Sequence, residues 1–421
     1  MRENRMKKYV LPILPVILIF FLLEAGARVC HTIVNDIREY KEYKIKSSQN
    51  ENQWWDNQTK NQWWQDSSEI GWERLPKFSG SIFNTDRSFD KDGYFTIDSY
   101  QVKDKTTPKI LLVGDSRTFG LGVEVTKTFG EILENILPGY YVINLGMIGY
   151  SSYQGVKILE KYIGIIKPSI VIVSFSFNDR RYVVDQKNID SSEYFTRVYR
   201  LNKANYIKER LKHVSYFFRI MQYAYNAAIK AFFKTDTKPE YLLNTVYPRV
   251  SPQDYRANLI KMIEITQQQN AKMMLLSLSD NPDWTAFLHD GSKLLKQGKI
   301  EEAVLKLKEC KHVAFSLLAQ KYLACAFDQQ RNFAELEKVR HIKPFISVHG
   351  GYPLFLDSDY EAIMKKVSSD FNVPLIDGGA ELLDHPEDYR DASHFDEHGH
   401  LLVAKAIAKV IVASKKATSL P

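Results

Sequence analysis

The chain has 421 residues, 44% of them hydrophobic and 25% charged, which is more than one average domain and enough for a large core. Its net charge of +7 comes from Lys and Arg scattered along the sequence, without the dense basic stripe and interleaved aromatics of a nucleic-acid surface. Three cysteines, Cys30, Cys310 and Cys325, form no CxxC pair and no cluster with His, so neither a zinc site nor a disulfide scaffold is indicated.

The N-terminus carries a targeting signal. Arg2, Arg5, Lys7 and Lys8 precede an uncharged run from Tyr9 to Leu23, broken only by Pro12 and Pro15. Basic residues before an apolar run hold the N-terminus in the cytoplasm and send the chain beyond the run across the membrane. The expectation is an N-terminal transmembrane helix within residues 1–30, extended past Glu24 by Ala25 to Ala27. A signal peptide cleaved near Ala25-Gly26-Ala27 is the competing reading. Val29 before Cys30 argues against lipoprotein processing.

Residues 31–106 read as a juxtamembrane segment, polar and charged, with Ile33, Val34, Ile37 and Tyr40 spaced for a short helix. It contains a local duplication, Asn52-Gln53-Trp54-Trp55 and Asn61-Gln62-Trp63-Trp64. Indole rings suit a membrane interface or a sugar face, and equally pack onto a neighbouring domain. Asn57-Gln58-Thr59 matches a glycosylation sequon.

From Lys109 the texture becomes strands alternating with helices, the pattern of a parallel sheet covered on both faces. Predicted strands are Lys109–Val113, Tyr141–Asn144, Ile170–Phe175, Lys272–Leu278 and Val373–Ile376, short apolar runs rich in Val, Ile and Leu. Predicted helices are Phe129–Leu137, Ser152–Ile166, Pro252–Gln269, Tyr360–Asp370 and one opening at Gly399-His400 and running to about Val412. The fold class is therefore α/β, a flavodoxin-like three-layer α/β/α sandwich around a five-stranded parallel sheet, with helical insertions. The predicted catalytic domain comprises residues 107–200, 245–284 and 342–415. One helical insertion (201–244) is crowded with aromatics between Ala204 and Lys234. A second (285–341) reads as helical hairpins: Gly298, Ala303, Leu307 and Cys310, then Tyr322 and Leu336, resemble a tetratricopeptide-like unit and a degenerate second one.

Four motifs carry chemistry. The first strand runs into Gly114-Asp115-Ser116-Arg117, setting a serine at the carboxyl end of a parallel strand, where open α/β sheets bind ligands; the bland reading is a helix-capping serine. Near the C-terminus, Asp391-Ala392-Ser393-His394 spaces a carboxylate to hold an imidazole in one tautomer, which frees the other nitrogen to take a serine proton. His398 and His400 are nearby alternatives, with His400 read as a packing or capping residue. After the second and third strands, Gly149 and Asn178 are oxyanion donors by type, or else a turn glycine and a strand-end cap. Arg117, Arg180 and Arg181 flank this set and read either as contacts for an anionic or sugar substrate or as solvated surface arginines.

Taken in order, these motifs closely resemble the SGNH (GDSL-type) hydrolase family over about residues 107–185, 245–281 and 342–415. The resemblance implies a carboxylic ester hydrolase with Ser116 as nucleophile, Asp391 and His394 as acid and base, and an oxyanion hole formed by Ser116, Gly149 and Asn178. No cofactor and no metal are expected. The chain departs from the family at Ser176, where a glycine is usual before x-Asn-Asp. The layout is similar to a bacterial membrane-anchored subgroup with a tetratricopeptide-like insertion, which places the catalytic domain outside the membrane, in the periplasm or at the cell surface. Expected partners are acylated small molecules or carbohydrates, short acyl groups such as acetyl on envelope sugars first, with the helical insertion as a surface for a protein partner. The same triad serves an O-acyltransferase that passes the acyl group to an envelope polysaccharide; a non-catalytic surface scaffold is the third reading.

Overall fold

A computed structural model describes residues 63–94, 106–183, 186–215, 247–282, 297–308, 360–391 and 393–418, with isolated positions between them. The chain divides into two units, Asn61–Thr196 with Tyr241–Pro421, and Met1–Lys60 with Arg197–Glu240.

The larger unit opens with two antiparallel hairpins, β1 (Trp64–Ser67) with β2 (Gly71–Arg74) and β3 (Ser79–Ile82) with β4 (Thr85–Ser88). Next come β5 (Lys109–Gly114), α1 (Ser116–Phe119), α2 (Phe129–Ile136), β6 (Tyr141–Asn144), α3 (Ser152–Ile166) and β7 (Ile170–Ser174). A two-residue strand β8 (Tyr182–Val183) pairs with β9 (Tyr247–Pro248) and precedes α4 (Ser192–Val214), whose residues from Arg197 onward belong to the smaller unit. The chain continues through α5 (Pro252–Gln268), β10 (Lys272–Ser277), α6 (Ile300–Lys308), α7 (Tyr360–Phe371), β11 (Leu375–Asp377), α8 (Ala380–Leu383) and α9 (Glu397–Thr418).

The five long-range strands form one parallel sheet in the order β6-β5-β7-β10-β11, the flavodoxin-like arrangement expected from the sequence. Alternate residues of each strand feed opposite cores. Leu111, Val113, Val171, Val173 and Leu275 face the layer of α3, α5 and α7; Ile110, Leu112, Ile172, Met274 and Leu276 face α2 and α9. Burial on both faces is why these runs show no polar alternation. Helix starts follow ordinary capping chemistry: Ser251 caps α5 by accepting from the Asp254 N–H at 3.0 Å, with Pro252 at the first helical position.

Differences from expectation have local causes. The last strand begins at Leu375, after Pro374, whose carbonyl accepts from Leu275 but which has no N–H to give the ladder. The final helix starts at Glu397, before Gly399, because the Asp396 carboxylate accepts from the N–H groups of His398 and Gly399 at 2.9 and 3.0 Å. No strand is predicted in 63–94, yet two hairpins form there. Their strands are four residues long and polar, and carry no periodic apolar signal. Trp63 and Trp64 of the second Trp pair pack against the core, while Trp54 and Trp55 lie outside the described residues.

In the helical insertion, Gly298 (φ +73°) ends one helical stretch and Ala303 and Leu307 of α6 are buried, whereas Cys310, Tyr322 and Leu336 lie outside the described residues. The same holds for all three cysteines and, apart from Leu23 and Glu24, for the predicted anchor. Among the described residues no helix is long and apolar enough to cross a membrane. In the smaller unit, the Glu24 carboxylate accepts from the Ser215 hydroxyl at 2.7 Å and the Phe217 N–H at 3.0 Å.

Candidate active site

The carboxyl ends of β5, β6 and β7 are neighbours, and each delivers one motif. Gly114 ends β5 opposite Ser174 of β7, and the loop after β6 returns to it through the Met147 N–H and the Gly114 carbonyl at 3.1 Å. Gly146 lies against α1 so closely that an added Cβ would stand 2.5 Å from the Phe119 nitrogen. A side chain there would push the loop off the serine.

Ser116 is the first residue of α1 and is 6% exposed. It does not cap the helix. Asp115 takes that role, its carboxylate accepting from the Arg117 N–H at 2.9 Å, which leaves the serine hydroxyl for another partner. That partner is His394, whose Nε2 lies 2.7 Å from Ser116 Oγ. His394 Nδ1 in turn lies 2.7 Å from Asp391 Oδ2. An ionised carboxylate only accepts, so Nδ1 carries the ring proton and Nε2 presents its lone pair to the serine O–H.

A tight loop presents this pair. Asp391 Oδ1 accepts from the N–H groups of Ser393 and His394 at 2.8 and 2.9 Å, and the Arg390 N–H donates to the His394 carbonyl at 2.8 Å. Tyr389 and Phe395 close the loop across an antiparallel bridge and are themselves buried. Partial burial pushes the Asp391 carboxyl upward. The hydrogen bond and charge of His394, with the two backbone N–H groups, outweigh that and hold it down at about 2.

The other histidines have different partners. His398 Nδ1 pairs with Asp388 at 2.7 Å. His400 is buried, and its Nδ1 accepts from the Phe129 N–H at 3.2 Å, the packing role expected for it. Burial, reinforced by the positive charge of Arg87, pushes this imidazole down to about 3.

Asn178 is 3% exposed. Its Nδ2 donates to the Tyr150 carbonyl at 2.9 Å and its Oδ1 accepts from Arg181 at 3.3 Å, which fixes the orientation of the amide. Ser176 does not adopt a positive φ, so the backbone there accommodates a residue with a side chain. The neighbouring Asp179 accepts from both the N–H and the hydroxyl of Ser152. Burial lifts its carboxyl to about 6 against these bonds. Gly149 sits at φ +80°, a conformation open to glycine.

Of the three flanking arginines, Arg117 is buried, and Arg180 and Arg181 are half-buried. Arg117 is not the surface charge of one sequence reading: it is 2% exposed, bound to Asp115 at 2.9 Å and to the Leu278 carbonyl at 3.2 Å. The acidic residue two positions earlier in the chain draws the guanidinium inward. Arg180 binds Asp280 at 2.6 Å, and burial lowers Arg181 to about 10.

Sequence reasoning missed a set of basic and aromatic residues that hold the site's backbone. Arg74 donates to the carbonyls of Asn144 (2.9 Å) and Gly146, Arg87 to those of Gly120 (2.6 Å) and Val123, and Arg249 to that of Gly149 (2.5 Å). Trp72 Nε1 donates to the Ile148 carbonyl at 3.0 Å. Lone arginines in polar segments leave no pattern that distinguishes them from surface charge. Among the described residues no group of three or more His, Cys, Asp or Glu is placed to hold a metal ion.

No family model and no curated protein matches the chain. Solved structures do. A lipolytic protein of the G-D-S-L family from Veillonella parvula aligns at 12% identity over 72% of this chain and 98% of its own, with a TM-score of 0.34. A lipase/acylhydrolase from Enterococcus faecalis aligns at 16% identity over 73% and 96%, with a TM-score of 0.35. An acetylxylan esterase from Geobacillus stearothermophilus aligns at 12% identity over 72% and 94%, with a TM-score of 0.34.

Proposed function

We propose that the chain is a serine ester hydrolase of the SGNH (GDSL-type) class, with Ser116 as nucleophile, His394 as general base and Asp391 as the acid that orients it. One observation carries this reading: an unbroken hydrogen-bond chain from Ser116 through His394 to Asp391, at 2.7 Å for each link, at the carboxyl end of a parallel sheet. A hydroxyl alone is a poor nucleophile, and this arrangement removes its proton as it attacks.

The Ser116 Oγ adds to the ester carbonyl while its proton passes to His394 Nε2. Asp391 stabilises the imidazolium that results. The N–H groups of Ser116 and Gly149 and the amide of Asn178 receive the charge that develops on the carbonyl oxygen. The tetrahedral adduct then expels the alcohol, which takes the proton from His394, and the acyl group remains on Ser116. Water, deprotonated by the same imidazole, attacks the acyl-enzyme and releases the carboxylic acid and the free serine.

The finer part of the proposal concerns substrate and place. The basic N-terminus and the apolar run from Tyr9 to Leu23 support an anchored enzyme whose catalytic domain lies outside the membrane. There, short acyl groups such as acetyl on envelope carbohydrates are the substrate class.

The test is hydrolysis of a short-chain chromogenic ester by the full chain in detergent, beside Ser116→Ala and His394→Ala. Turnover that falls by about 10³-fold or more in both variants supports the serine mechanism. An acylated sugar formed when a glycan acceptor is added would redirect the reading to O-acyl transfer. An intact chain that neither turns over nor takes a serine-directed phosphonate would sink the enzymatic reading and leave the scaffold.

A further inference from the structure

We infer that Trp72, on the hairpin that precedes the α/β domain, is a positioning residue that aims the Gly149 N–H at the reacting carbonyl oxygen. The inference rests on the esterase reading above and assigns part of that site to a segment outside the sheet.

The peptide group joining Ile148 and Gly149 is planar and trans, so its C=O and N–H point in opposite directions. Whatever holds the Ile148 carbonyl therefore sets the direction of the Gly149 N–H. The holder is the indole Nε1 of Trp72, which donates to that oxygen at 3.0 Å across 76 residues of sequence. Gly149 needs such a holder, because φ +80° and the lack of a side chain leave the peptide free to rotate.

The indole is fixed in turn. It makes ring contacts with Tyr150 at 5.8 Å and Phe195 at 6.3 Å, and the Tyr150 hydroxyl donates to the Trp72 carbonyl at 2.6 Å. Its ring also packs tightly beside Gly149, where an added Cβ would stand 3.1 Å from Cζ2 of the indole. Arg249 lies over the indole and donates to the Gly149 carbonyl at 2.5 Å, so the peptides before and after Gly149 are both held. Arg74, two residues along the same strand, holds the carbonyls of Asn144 and Gly146 at the base of the loop. An oxyanion donor acts only when it already points to where charge will appear, and this hairpin supplies that preorganisation.

The experiment replaces Trp72 in the full chain with its benzothienyl analogue, which keeps the bicyclic ring and exchanges the N–H for sulfur. Trp72→Phe serves as the simpler companion. With the short-chain ester, kcat falls by about tenfold or more while KM and the thermal midpoint stay close to those of the parent, since a donor lost outright costs about 10²–10³ in kcat. A purely structural role would lower the midpoint and leave kcat per folded molecule intact. Unchanged kcat in the analogue, with the parent turning over and labelled by a phosphonate, overturns the role of Trp72 alone. A parent that does neither overturns the esterase reading and the role of Trp72 with it.

Discussion

At the residue scale the site depends on which atom holds the proton. Asp391, held at about 2, is a carboxylate at any working pH and keeps the His394 proton on Nδ1. In Asp391→Asn the amide is free to donate to Nδ1 and so stabilise the tautomer that carries the proton on Nε2, where it faces the serine. The expected loss in kcat is on the order of 10³–10⁴ with binding little changed, measured by steady-state kinetics on the same ester. His400 shows a different side of histidine chemistry. Its folded value of about 3 lies below the ordinary 6.5, so the neutral ring stabilises the fold fully above pH 6.5 and the contribution is lost as pH falls toward 3. In His400→Asn, whose Oδ1 takes the place of Nδ1 as acceptor for Phe129, the dependence of unfolding free energy on pH over that window is shallower by about 1.4 kcal/mol per unit, read from urea titrations at several pH values. Ser116, Asp391 and His394 were legible because their motifs, taken in order with those of Gly149 and Asn178, resemble the blocks of a known family; the spacing of each motif alone left a bland reading open. Arg117 was misread from the same motif, since nothing in the linear order tells a charge folded onto its neighbour from one facing water.

At the element scale the strands were legible nearly residue by residue, because burial on both faces leaves an apolar run that needs no partner to be recognised. Leu111 and Leu112 are adjacent on β5 and point into different cores. Leu111→Ala and Leu112→Ala should each cost about 3 kcal/mol in equilibrium unfolding, whereas a sheet with one open face would make only one of them expensive. Gly146→Ala tests the close approach of the loop to α1. The Cβ would meet backbone at 2.5 Å, so both stability and turnover fall, the second more than the first. The hairpins of 63–94 escaped notice for the opposite reason. Their strands are short and polar, and they owe their place to Arg74, Arg87, Trp72 and Ile82 reaching inward rather than to an alternating face.

At the scale of the whole molecule, the hairpins and the α/β domain belong to one unit, with Ile70, Ile82 and Phe89 of the hairpins buried. A chain lacking residues 63–94 should show a thermal midpoint lower by more than about 10 °C and no ester turnover, measured by calorimetry and kinetics together. The sequence by itself determined the α/β class, the strand runs and the order in which the serine, glycine, asparagine and Asp-His motifs appear, since these depend on local periodicity and on short spacings. Tertiary structure alone decided that the Asp-His loop closes on Ser116, that Arg117 is buried, and that Trp72, Arg74, Arg87 and Arg249 hold the loops of the site. Apart from the bonds of Arg117 to the nearby Asp115, those contacts join residues tens to hundreds of positions apart, and a single donor in a polar segment leaves no pattern until the backbone it binds is brought beside it.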